Sequence, residues 1–140
     1  MSDELRRVGR LVPGWIPEAG PPSDDLLEGI VIDALEALPD EFRERLGSVA
    51  IVIEDEATPA QLASVGARGL FGLYQGVPRT TYGADQVSVP SKITIFRGPL
   101  TRAYRTPTAL AAGVTDTVYH EIAHHFGISD ARLHELRGGR

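Results

Sequence analysis

Three of the four histidines in this 140-residue chain fall within six residues, in Tyr119-His120-Glu121-Ile122-Ala123-His124-His125-Phe126-Gly127. The surrounding sequence dictates how they are displayed. Thr106-Pro107 is a helix start, because proline at the first helical position lacks an N–H that would be orphaned there anyway. Apolar Leu110, Val114, Val118, Ile122 and Phe126 then recur every four residues, the spacing of a broad buried stripe. Gly127 supplies the left-handed residue on which many helices stop. The fold must therefore bury one side of a long helix while leaving the histidine side open.

On that helix His120 and His124 project from one face about a turn apart. Two imidazoles so placed can share one metal ion at about 2.0–2.1 Å each. Glu121 lies about 100° around the axis from His120, out of line for ligation yet within reach of a water on the metal. That is the logic of H-E-x-x-H, two ligands and a base. Catalytic zinc takes a third protein ligand and keeps its fourth position open. Gly127 turns the chain back and Asp130 follows three residues later, so Asp130 is the expected third ligand. His134 or Glu135 could replace it, although both read first as solvated helix residues. His125 points about 100° away from His124 and reads as a surface or core-edge residue. Asp116, one turn before His120, reads as an exposed helical residue or as a partner orienting a ligand histidine.

Upstream, residues 1–22 hold four prolines and three glycines and read as an irregular arm, docked through Trp15 and Ile16 or loose. Residues 23–140 read as a single domain. Ser23 is an N-cap followed by Asp24 and Asp25, which suit the helix dipole. Leu26, Leu27, Ile30, Val31, Ala34, Leu35 and Leu38 continue at helical spacing. Pro39 ends that helix or begins a short one running through Phe42 and Leu46 to Gly47. Val49–Ile53 is a β-branched run that reads as a buried strand. A short helix is expected from Pro59, a second strand over Leu70–Tyr74, a long loop over Gln75–Pro90, and a third strand over Lys92–Phe96.

Composition narrows the functions. A net charge of −5 leaves no basic footprint for nucleic acid and no polybasic patch for anionic lipid. Thirteen of the 14 basic residues are arginine, Lys92 being the exception, which we read as compositional bias. With no cysteine, disulfides, zinc ribbons and thiol catalysis are excluded. The N-terminal residues lack the apolar run of a signal peptide, and no stretch approaches a membrane span. The cytoplasm is the default expectation.

His120-Glu121-x-x-His124-x-x-Gly127-x-x-Asp130 resembles the zincin metallopeptidases, and among them a small, mostly bacterial family of minimal zincin-like proteins. Similar stretches are Ala37-Leu38-Pro39-Asp40-Glu41-Phe42, Gly72-Leu73-Tyr74-Gln75-Gly76-Val77-Pro78 and Ile93-Thr94-Ile95-Phe96-Arg97, so the likeness spans roughly residues 24 to 136. The motif also resembles that of the metzincins with aspartate in place of their third histidine, but their Met-turn is missing, since Met1 is the only methionine. The resemblance implies an α+β fold, a small mixed sheet packed against an N-terminal helix and an active-site helix. It implies one zinc ion on His120, His124 and Asp130, Glu121 as general base, and hydrolysis of a peptide or protein substrate. It also implies an edge strand holding extended substrate by backbone hydrogen bonds, for which Ile93–Phe96 is the candidate. Tyr74, Tyr82 and Tyr104 are candidate oxyanion donors, each equally readable as packing. Two other readings share these residues: a zinc-binding interaction module without turnover, and a hydrolase of non-peptide amides or esters. Oligomeric state is not legible.

Overall fold

A computed structural model describes residues 15–66, 69–76, 91–129, 131, 132 and 135. After a 3₁₀ turn at Pro17–Ala19, the elements in chain order are α1 (Asp24–Glu36), α2 (Asp40–Leu46), β1 (Val49–Glu54), α3 (Pro59–Val65), β2 (Gly72–Gln75), β3 (Ser91–Phe96), α4 (Arg97–Ala103) and α5 (Pro107–His125). Helices and a small mixed sheet make this an α+β fold, as expected. Among the described residues no helix is long and apolar enough to cross a membrane.

The helix signals act where the sequence places them. Ser23 accepts a hydrogen bond from the Leu26 amide at 3.2 Å to start α1, satisfying one of the orphan donors of the first turn. Thr58 and Gln61 cap α3 reciprocally. Gly47 closes α2 with φ of 63°, a conformation that favours glycine. Helix α4 has no counterpart among the sequence expectations. Gly98-Pro99 looks like a break, yet Pro99 falls in the first turn, where a missing N–H costs nothing.

The strands run in the order β1-β3-β2. β3 is parallel to β1, with Ile51 opposite Ile93, and antiparallel to β2, with Tyr74 opposite Ile93. One face of the sheet presents Ile93 and Ile95, with Val49, Ile51 and Ile53 beside them, to Leu27, Ile30 and Val31 of α1 and Leu110, Val114, Val118 and Ile122 of α5. Leu73, Thr94 and Phe96 on the other face are also buried, so β3 is enclosed on both sides.

Two strand expectations need correction. Ile93–Phe96 was expected at the sheet edge, but β3 is central, flanked by β1 and β2. Four consecutive buried residues, Ile93 to Phe96, require neighbours on both edges and cover on both faces. β1 was expected to be buried, but it is an outer strand of mostly half-buried residues, because among the described residues only one of its edges is paired. The other edge unpaired among the described residues belongs to β2, which runs beside α5.

Arg97 ties the chain together behind the sheet. Its guanidinium reaches Asp24 at 2.7 Å, Asp55 at 2.9 Å and the Pro22 carbonyl at 2.8 Å, joining the start of α1 to the end of β1. Burial works against its charge, but the Asp55 and Asp24 carboxylates outweigh that and raise its pKa. Trp15 packs against the core and donates its indole N–H to the Gly20 carbonyl at 3.0 Å. Ile16 is 60 % exposed, so of the two anchors expected in the arm, only Trp15 docks.

Candidate metal and catalytic site

α5 carries the site, and both of its ends follow from local sequence. Thr106 accepts from the Ala109 amide at 3.1 Å, with Pro107 next. At the far end Gly127 has φ of 68°. Its amide donates to the His124 carbonyl at 3.1 Å, and the Ile128 amide donates to the Ala123 carbonyl at 2.8 Å. This pair of bonds satisfies carbonyls the helix would otherwise orphan, and Ile128 folds back against the core. The reversal anticipated at Gly127 is therefore present. Asp130 and His134 lie outside the described residues. Glu135 is exposed and pairs with Arg132 at 3.4 Å, as a solvated helix residue would.

β2 and α5 are matched in pitch. Four helical residues rise about 6 Å and two strand residues about 6.7 Å, so every second residue of β2 meets every fourth of α5. A β-carbon built on Gly72 would lie 2.7 Å from Thr117 Cγ2, and one on Gly76 would lie 3.0 Å from the His125 ring. Between them, the Tyr74 amide donates to Glu121 Oε1 at 3.1 Å. Thr117, Glu121 and His125 are thus the stripe that faces the strand. Asp116, His120 and His124 form the neighbouring stripe, with both imidazoles exposed and Asp116 half-buried.

Strand geometry explains why the Tyr74 amide is available. The Phe96 amide donates to the Phe71 carbonyl at 2.9 Å. Bonded and non-bonded pairs alternate along an antiparallel ladder, so Leu73 opposite Thr94 is the next bonded pair. Gly72 and Tyr74 therefore turn their peptide groups away from β3, and Glu121 takes the outward N–H of Tyr74. Burial raises the Glu121 pKa above its ordinary value. The Tyr74 N–H, and then charge on His124 and His120, pull the other way without cancelling it. The result is a fixed carboxylate with enhanced proton affinity beside two exposed imidazoles.

His125 stacks on the Tyr74 ring with centroids 4.6 Å apart and meets Phe126 edge-on at 5.2 Å, which fits the core-edge role expected of it. Tyr104 packs its ring on Phe71 and against Gly113, where a β-carbon would lie 2.4 Å from it. Tyr82 lies outside the described residues. Among the described residues no three side chains of metal-ligating type converge. His120 and His124 supply two nitrogen donors of the kind zinc takes, and the expected oxygen donor is Asp130. The backbone of Tyr74 and its flanking Gly72 and Gly76 are the site components that sequence reasoning missed. Gly72-Leu73-Tyr74-Gln75-Gly76 carries a trace of them, small residues two positions either side of Tyr74 on one strand face.

The model of the zincin-like metallopeptidase family matches residues 46–140, from the last residue of α2 through β1 and α5. No curated protein matches the sequence. Among solved structures, a conserved hypothetical protein from Thermus thermophilus superposes with a TM-score of 0.51 at 22% identity, covering 75% of this chain and 94% of that one. At that identity the likeness concerns the fold.

Proposed function

The chain belongs to the zincin-like metallopeptidase family, and from that premise we propose that it is a zinc-dependent peptidase working through Glu121. His120, His124 and Asp130 would hold one zinc ion. The observation that carries the reading is the hydrogen bond from the Tyr74 amide to Glu121 Oε1. It fixes a carboxylate next to an exposed imidazole pair and at a strand edge that is unpaired among the described residues. A carboxylate meant only to solubilise the helix would point into solvent.

When bound, zinc supplies a Lewis acid that polarises a carbonyl and acidifies water. The chain's own residues supply the rest. With Oε1 anchored, Glu121 presents Oε2 as the atom that accepts a proton from the attacking water and later returns it to the leaving amine. The partial desolvation that raises its pKa makes it a stronger base than a solvated glutamate. Extended substrate lies along the outer edge of β2, which is unpaired among the described residues, and bonds to backbone groups that point away from β3 other than the Tyr74 N–H, which Glu121 holds. β2 thus takes the role first expected of Ile93–Phe96.

The test is incubation of the zinc-loaded protein with a diverse peptide library beside a Glu121→Gln variant. Cleavage by the wild type, reduced about 10²–10⁴-fold in the variant as for loss of a general base, supports the reading. Cleavage equal in both proteins, or stoichiometric zinc with no cleavage, contradicts it.

A further inference from the structure

On the side of the molecule away from α5 and β2, three apolar features lie together. The outer edge of β1 is unpaired among the described residues. Beside it, an open groove of about 290 Å³ runs between α1, α2 and β1, with Leu35, Leu46, Val49 and Ile51 in its wall. At its rim stands Ile32, 44% exposed on a helix whose other apolar residues mostly turn inward. Two opposite charges, Glu36 and Arg43, also line the groove.

We propose that this surface pairs with a second copy of the chain about a two-fold axis. An interface of that kind must be self-complementary, each patch carrying both members of every contact. This one does: a projecting Ile32 stands beside a concave apolar groove, and an anion beside a cation. Strand pairing fixes the arrangement further. A two-fold axis perpendicular to the sheet makes β1 antiparallel to β1 of the second copy and keeps each sheet face on its own side. Facing residues must then share a face. Centring the pair on Ile51 sets Val49 opposite Ile53 and Ala50 opposite Val52, all apolar, with Glu54 opposite Ser48 and no like charges opposed. The two α1 helices lie side by side over one continuous six-stranded sheet. Ile32 of each enters the other's groove, and Glu36 of each meets Arg43 of the other.

The charges at the strand seam permit this. Asp55 and Glu56, just past the end of β1, are already paired with Arg97 and Arg102 and bring no unpaired acid to the seam. Arg43 pairs with Asp40 within one copy, but both side chains are solvated, 46% and 79% exposed, and exposed pairs of this kind exchange at little cost. Edge strands of unprotected β-branched residues pair with other chains unless blocked, and here nothing polar interrupts Val49–Ile53. The candidate catalytic sites stay free at the two outer ends of the joined sheet.

Sedimentation equilibrium over a micromolar concentration series tests the proposal on the full chain. The expected result is a reversible monomer–dimer equilibrium. Ile32→Asp, at a position exposed in the monomer, should weaken it about tenfold or more while leaving circular dichroism unchanged. Glu36→Arg alone should also weaken it, and Glu36→Arg with Arg43→Glu should restore it. Monomer mass at every concentration overturns the proposal, whatever else binds the groove. So does a dimer indifferent to Ile32→Asp, or a double charge-swap variant no better paired than the single one. None of these readings depends on zinc or on peptidase activity.

Discussion

Gly72→Ala probes the contact that sets β2 against α5. The new β-carbon would lie 2.7 Å from Thr117 Cγ2, 3.0 Å from the Thr94 carbonyl oxygen and 3.3 Å from Ile95 Cδ1. Carbon atoms pack at about 3.5–4.0 Å, so strand and helix must separate by about 1 Å. Thr94 is main chain in the central strand and cannot move without straining the ladder, so most of the shift falls on Thr117. Overpacking of this kind costs about 1–3 kcal/mol. Gly72 is not among the glycines with positive φ, so alanine fits its backbone and recovers about 0.4–1 kcal/mol of unfolded-state entropy. The net expectation is a loss of about 1–2 kcal/mol, read as a lower urea midpoint at unchanged slope. Thr117→Ser removes Cγ2 and keeps the hydroxyl that bonds the Gly113 carbonyl at 2.8 Å. In the Gly72→Ala background it should restore stability, giving a coupling of at least about 0.5 kcal/mol. A neutral Gly72→Ala, or a Thr117→Ser that adds to the loss, would refute the proposed strand–helix contact.

Other expectations follow from the same geometry. The raised Glu121 pKa means that the folded, metal-free protein binds the proton more tightly than the unfolded chain, so ionisation of this group costs stability. That cost is absent below the unfolded carboxylate pKa and grows as pH rises through the folded one. Urea titrations should therefore show Glu121→Gln gaining on the metal-free wild type from acid to neutral pH; a gap independent of pH would contradict this. Arg97→Met removes the bonds to Asp24, Asp55 and the Pro22 carbonyl and should lower stability by about 1–3 kcal/mol, with raised salt shrinking part of the difference. Gly127→Ala forces a β-carbon into φ of 68° and should cost about 1–2 kcal/mol in thermal unfolding. It should also weaken zinc binding, because the turn leads to Asp130.

How much of this was legible in the sequence depended on how local the determinant was. α1 and α5 could be read because their signals lie within one turn: Ser23 and Thr106 as caps, apolar residues at helical spacing, Gly127 as a stop. α4 could not, since Gly98-Pro99 reads as a break unless Pro99 is known to fall in the first turn. Strand order was not legible either. Val49–Ile53 and Ile93–Phe96 are similar apolar runs, and which one is central depends on β2 pairing with β3, two segments that are not consecutive in the described chain. In the candidate site, the display of His120 and His124 on one stripe of α5, with Glu121 on the next, was readable from spacing alone. The Tyr74 amide was not, because a backbone donor carries no side-chain signature and its direction is set by the ladder from Phe71 to Phe96.

The central claim is that one zinc ion sits on His120, His124 and Asp130. The most direct measurement is zinc content and affinity, by elemental analysis and calorimetry, on the metal-stripped and reloaded wild type beside His120→Ala, His124→Ala and Asp130→Ala. The account predicts one zinc per wild-type chain, with binding abolished or severely weakened in both histidine variants and weakened in the aspartate variant. A wild type that takes up no zinc, or histidine variants that bind it as tightly as the wild type, would contradict it.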